Sequence, residues 1–161
     1  MTWLARRAHA QAAGQGAATT QDGIAIEVAA NVGGGGEIPR ALAFGAEGVG
    51  LFRTEFLFLD RDTAPTEDQQ YEVYCQAAKL LDGRPLIIRT LDVGGDKPIP
   101  YLGLPAEANP FLGWRGIRYC LDNPGVFMPQ LRAILRASSN ENGQQAHIKI
   151  MFPMVSTVAE V

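Results

Sequence analysis

Residues 45–58, GAEGVGLFRTEFLF, decide the fold. Val49, Leu51, Phe56 and Phe58 are β-prone and apolar, while Arg53, Thr54 and Glu55 interrupt them with a cation, a hydroxyl and an anion. The pattern predicts a buried strand at 48–52, running on into 56–58 and carrying a charged cluster. An arginine inside an apolar run is costly to bury unless an anion pairs with it. Residues 85–93, PLIIRTLDV, repeat the design: an apolar run leads into Arg89 and Thr90, then Asp92. Two strands with Arg-Thr near their C-terminal ends point to two guanidinium forks converging on one anion, because the planar fork suits bidentate contact with carboxylate or phosphate. The plainer alternative pairs Arg53 with Glu55, Arg89 with Asp92 and Lys97 with Asp96 as ordinary ion pairs.

Outward from these two strands the chain alternates. A helix is expected at 1–15, then a loose Gly/Ala/Thr-rich stretch at 14–21. A first strand follows at 24–31, IAIEVAAN, and then the glycine run 33–36. That run lacks the lysine and hydroxyl of a P-loop and reads as a βα turn. A short helix is expected at 39–44. Thr66 is a good N-cap for a helix reaching Leu81, whose Tyr71, Tyr74, Cys75, Ala78 and Leu81 recur at helical spacing and should face the core. After the third strand, 86–91, residues 92–110 form a loop too long and too rich in Pro and Gly to be a mere connector. Helices are expected at 111–121, carrying Arg115 and Arg118, and at 126–136, carrying Leu131, Ile134 and Leu135. The chain then reads as a polar turn at 140–145, a fourth strand at 147–154, and a further helix capped by Ser156. Strands alternating with helices imply a parallel sheet with right-handed crossovers, either doubly wound or a TIM barrel. Both bind ligands at the C-terminal strand ends, where Arg53 and Arg89 fall.

The 161 residues suffice for one domain with a real core; 47% are hydrophobic and 19% charged, a globular composition. A net charge of −3 gives no footing for a nucleic-acid surface, and no apolar run is long enough to span a bilayer. Cys75 and Cys120 are expected to be two reduced, dispensable thiols. Lys97, in a GGDK loop, and Arg115 add cations to the same mouth, so a small polyanion is the natural ligand. Glu55, Asp92 and Asp96 give only a weak metal signal.

The motifs GAEGVGLFRTEFLF, IIRTLDVGGDKPIPY, NPFLGWRGIR, LRAILRAS and KIMFPMVSTVAEV, in this order, resemble the enzyme I family of the bacterial phosphoenolpyruvate:sugar phosphotransferase system, including the enzyme I-like modules of multiphosphoryl transfer proteins. The resemblance runs from Ile24 to Val161 and implies an α/β fold of the TIM-barrel type, with the first four βα units present. It implies a linker segment at 1–22 and the N-terminal half of a phosphoenolpyruvate-binding barrel at 23–161. It implies phosphoenolpyruvate as substrate, with Arg53 and Arg89 contacting its phosphate and carboxylate and Lys97 and Arg115 as further pocket cations. Mg²⁺ is the implied cofactor, its carboxylate ligands lying beyond residue 161. The implied acceptor is a histidine on a separate N-terminal domain, then a histidine phosphocarrier protein, in a cytoplasmic, homodimeric parent serving sugar uptake. The chain is thus expected to be a piece of that enzyme, inactive alone. The alternatives are a non-catalytic assembly module on a barrel-derived fold, or a lyase or aldolase barrel acting on another phosphorylated acid.

Overall fold

The computed structural model describes residues 2–14, 16–94, 99–104, 107–139 and 146–161. In chain order its regular elements are α1 (Trp3–Ala13), β1 (Ala18–Thr19), β2 (Ala25–Ile26), β3 (Ala29–Val32), α2 (Ile38–Ala43), β4 (Gly48–Arg53), α3 (Glu67–Leu81), β5 (Leu86–Arg89), α4 (Ile117–Asp122), α5 (Pro124–Ser138) and β6 (Ile148–Met151). Strands β3, β4, β5 and β6 form one parallel sheet in which spatial order follows chain order. The expected parallel α/β architecture is therefore present.

One face of this sheet packs on helices. Val32, Val49, Phe52, Leu86 and Ile88 meet Tyr74, Ala77 and Leu81 of α3 and Ala133, Ile134 and Ala137 of α5 in a single core. Residues alternating with these point the other way, among them Leu51, Ile87 and Arg89. A second apolar cluster joins Phe58 and Leu91 to Val93, Ile99, Leu102, Ile117, Tyr119 and Cys120. Much of it comes from the long loop after β5, so that loop has a packed floor of its own.

Several boundaries differ from the sequence reading, each for a local reason. The first strand does not run from 24 to 31. Thr20 to Gly23 make a tight turn, and Ala25 and Ile26 pair antiparallel with Ala18 and Thr19. Ala18 and Thr19, within the stretch expected to be loose, are thus one arm of a hairpin, and the main-sheet strand begins at Ala29. Strand β4 does not continue through Phe58. A 3₁₀ turn, Thr54–Leu57, follows it, with Thr54 and Glu55 buried. The helix expected from 111 starts at Ile117, because Gly116 sits at φ +56, a conformation that suits glycine. A Cβ there would also lie 2.9 Å from both the Pro153 carbonyl oxygen and Met154. Helix α5 buries Gln130, Ala133, Ile134 and Ala137, while Leu135 is exposed. The fourth strand is Ile148–Met151, and Thr157, not Ser156, caps the 3₁₀ turn Val158–Glu160. The turn expected at 140–145 lies outside the described residues.

Helix α3 starts as expected. Thr66 accepts from the Gln69 N–H and Gln69 answers to the Thr66 N–H, a complete capping box. Glu67, in the first turn, then accepts from Arg132 Nε at 2.8 Å and Arg136 Nη1 at 2.7 Å on α5, and Asp68 takes Arg136 at 2.8 Å. These arginine hydrogen bonds, Arg136 foremost, hold the Glu67 carboxyl below the usual carboxylate range. A carboxyl whose folded-state value is lowered contributes stability above its unfolded value, near 4.3, and loses it as pH falls through the folded value. Glu67→Gln should therefore reduce stability at pH 7, and the gap from wild type should close below about pH 4. Urea unfolding across that pH range checks this; a gap that persists unchanged at pH 3 would contradict it.

Candidate functional site

A cavity of about 150 Å³ opens beyond the C-terminal ends of β4 and β5, lined by Arg53, Glu55, Arg89, Asp92 and Arg115 with Phe56 and Leu59 beside them. Its geometry starts in the strand register. Val49 pairs with Leu86, but Phe52 pairs with Ile88 and Arg53 with Arg89, so β4 carries one residue more than β5 across this span. On the other side Ala30 pairs with Val49 and Asn31 with Leu51. Gly50 is the extra residue of the bulge, and a Cβ there would come within 3.0 Å of the Ala29 Cβ. Bulges of this kind re-aim side chains next to sites. Without it Phe52 would lie opposite Arg89; with it the two arginines stand level.

Each arginine is held differently. Arg89 Nη2 donates to Glu55 Oε1 at 3.1 Å, and its Nη1 lies 3.5 Å from Asp92 Oδ2. Glu55 Oε1 also accepts from the Asp92 backbone N–H at 3.1 Å. Arg115 Nε donates to Asp92 Oδ1 at 2.9 Å, and its guanidinium lies over the Phe111 ring, 4.8 Å from the centroid. Arg53 stacks over Phe56 at 5.2 Å. Among the described residues it makes no ion pair, and its buried Nε has no hydrogen-bond acceptor; the same holds for the Nε of Arg89. Three guanidiniums against two carboxylates leave the described pocket with one net positive charge and two buried N–H donors aimed at nothing. Buried donors of that kind are rare and call for a partner.

The plain ion-pair alternative holds only in part. Arg89 does pair with Asp92, but Glu55 turns away from Arg53 to Arg89, because the 3₁₀ turn after β4 carries its side chain towards β5. Three of the four expected cations, Arg53, Arg89 and Arg115, share one cavity. Lys97 and its expected partner Asp96 lie outside the described residues. The glycine run serves as a turn: the Gly33 N–H is taken by Glu37 at 3.0 Å, and Gly35–Glu37 form a 3₁₀ turn.

Two buried residues beneath this cavity escaped the sequence reading. Gln130 and Gln70 are each only 1% exposed and link Tyr74 and Thr54 into a buried polar chain beneath Arg89. Their signal was faint, since a glutamine in an amphipathic helix ordinarily faces water. Cys120 is buried near the Leu91 carbonyl, and burial pushes its thiol up to about 12, which leaves it no thiolate for chemistry. Both cysteines are free, Cys75 half-buried. Among the described residues no group of His, Cys, Asp and Glu is arranged to hold a metal ion, and no helix is long and apolar enough to cross a membrane. Glu55 and Asp92 are both engaged by arginines.

A family model described as PEP-utilising enzyme, PEP-binding domain, matches residues 7–161. Phosphoenolpyruvate-protein phosphotransferase of Staphylococcus carnosus is 52% identical over 141 residues, covering 88% of this chain and 24% of that protein. The protein of the same name from Haloferax volcanii is 54% identical over 146 residues, covering 90% and 26%. That of Geobacillus stearothermophilus is 52% identical over 144 residues, covering 89% and 24%. The chain spans about a quarter of the length of these curated relatives.

The geometry separates an arginine with no ion pair among the described residues from a carboxylate that holds two guanidiniums. Arg53→Ala should weaken inorganic phosphate binding about tenfold or more, the worth of a charge-assisted hydrogen bond. Asp92→Asn should instead cost about 1–3 kcal/mol of stability, less than a fully buried pair because Arg89 is still 21% exposed. Phosphate titration and urea denaturation of both variants check the pair. Undiminished phosphate affinity in Arg53→Ala would remove Arg53 from the site.

Proposed function

We propose that this chain, which belongs to the PEP-binding domain family of the PEP-utilising enzymes, grips phosphoenolpyruvate for a phosphoenolpyruvate-protein phosphotransferase. The observation that carries the reading is the convergence of Arg53, Arg89 and Arg115, from three separate segments, on one small cavity at the C-terminal ends of adjacent parallel strands. Phosphoryl transfer asks a protein mainly for positioning and for charge placed where the transferring group carries it. Arg53 and Arg89 supply that charge to the phosphate, each with an Nε–H free of partners among the described residues. Arg115, and Lys97 from the loop after β5, add positive charge for the carboxylate. Glu55 and Asp92 fix the plane of the Arg89 fork before the substrate arrives, so little ordering remains to be done on binding.

The wider setting follows from the same reading. The sheet, whose strands lie in chain order without a reversal, is the first four βα units of a TIM barrel at 23–161, with 1–22 as its linker. The phosphoryl group passes to a histidine elsewhere in the complete enzyme and then to a histidine phosphocarrier protein, in the cytoplasm, for sugar uptake, with the parent a homodimer. Mg²⁺ bound outside this chain would neutralise further charge on the phosphate; this chain's own residues bind and orient the substrate.

The test is a chimera. The matching segment of the Staphylococcus carnosus enzyme is exchanged for this chain, and phosphoenolpyruvate-dependent phosphoryl transfer is measured. The chimera should be active, and Arg89→Ala should cost it about 2–4 kcal/mol of transition-state stabilisation, as losing a preorganised donor does. Arg89→Lys should recover little, since a point charge does not reproduce the fork. Near-wild-type transfer in Arg89→Ala would overturn the substrate role.

A further inference from the structure

Beneath Arg89 lies a buried polar chain. Gln130 of α5 is 1% exposed, and its Oε1 accepts from the Leu91 backbone N–H at 2.8 Å. That N–H can only donate, so the amide oxygen must face it and the NH₂ must face the other way. The NH₂ then donates to Thr54 Oγ1 at 3.2 Å and to Tyr74 OH at 3.4 Å. Thr54, having accepted, turns its own proton to the Arg89 carbonyl at 2.9 Å. Tyr74 donates onward to Gln70 Oε1 at 3.2 Å, and Gln70 Nε2 ends the chain on the Pro65 carbonyl at 3.1 Å. Every proton in this run has one direction.

The placement matters because the β5 ladder has ended here. Arg89 is the last residue of β5 and pairs with Arg53, the last of β4. The Leu91 N–H is met by Gln130, and Arg89 takes the Thr54 hydroxyl on its carbonyl. A single side-chain amide therefore ties the end of β4, through Thr54, to the segment just past β5, through Leu91. Thr54 directly follows Arg53, and Leu91 lies two residues past Arg89.

We propose that Gln130 is a positioning residue for the anion pocket: by bridging Thr54 and Leu91 it fixes the separation and direction of the Arg53 and Arg89 forks. The proposal rests on the reading of the cavity as an anion site. Gln130 itself touches no ligand; it acts through the two backbone segments it joins. A misplacement of about 1 Å far from the chemistry is enough to cost large factors in binding and rate.

The experiment uses the ¹⁵N-labelled chain titrated with inorganic phosphate, reading the arginine Nε–H resonances, with amide exchange at Leu91 as a second readout. Gln130→Met keeps the volume and removes all three hydrogen bonds, to Leu91, Thr54 and Tyr74. Thr54→Val, a smaller change, removes the hydroxyl and with it the links to Gln130 and to the Arg89 carbonyl, and leaves Gln130 on Leu91. Ile134→Ala, on the same helix and buried in the same core, is the control for lost stability. In wild type both Nε–H signals should shift with phosphate. Gln130→Met should weaken phosphate binding about tenfold or more and release the Leu91 amide to exchange. Thr54→Val should weaken binding as well, while Ile134→Ala should leave affinity unchanged at temperatures where it is folded. Should Gln130→Met fail to fold, Thr54→Val carries the decision, and wild-type affinity there would overturn the proposal. Affinity that falls equally in Ile134→Ala would reduce Gln130 to a core residue and also overturn it. A wild-type chain that binds no phosphate would overturn the anion reading itself, an outcome distinct from wild-type binding with indifferent variants.

Discussion

Two arginines held level on neighbouring parallel strands set the terms for everything around them. Strand spacing in a sheet is about 4.8 Å, so Arg53 and Arg89 bring like charges close together at a partly buried edge. The fold does not relieve this by separating them; the bulge at Gly50 brings them together. Relief comes from Glu55 and Asp92, and it goes to Arg89 and Arg115 rather than to Arg53. The pocket is left with an uncompensated charge and two idle Nε–H groups among the described residues. Unpartnered buried donors beside an uncompensated charge, in an otherwise well-packed chain, call for an anion.

The sequence was legible where a single element decides the answer. Apolar runs ending in Arg-Thr located β4 and β5, and Thr66 with Gln69 located the start of α3, because strand burial and helix capping are local effects. It was less legible where the partner is remote. The Asp22-Gly23 turn folds Ile24 and Ile26 into a hairpin, whereas alternation alone reads them as one strand with Ala29 and Ala30. Glu55 pairs with an arginine 34 residues away instead of the one two residues before it. Gln130, of a residue type that ordinarily faces water, is buried on α5, while Leu135 on the same helix is exposed. For Glu55 and Gln130 a tertiary partner overrode the local pattern; for Ile24 and Ile26 a local turn did.

The same contrast separates scaffold from site. The helix-facing core is built from aliphatic and aromatic side chains that any α/β sheet would use. The second cluster, under the loop after β5, is more particular. It carries Leu91 and Val93 on a fixed floor, so the loop that brings Arg115 to Asp92 is not a free connector. Long loops with a packed base hold side chains to a geometry.

The most direct test of the anion pocket is a crystal structure of the chain grown with phosphoenolpyruvate. The account predicts phosphate density between Arg53 and Arg89, both Nε–H groups donating to it, and the Arg53 guanidinium drawn off the Phe56 ring. Phosphate density elsewhere, with Arg53 still stacked on Phe56 and its Nε without an acceptor, would contradict it.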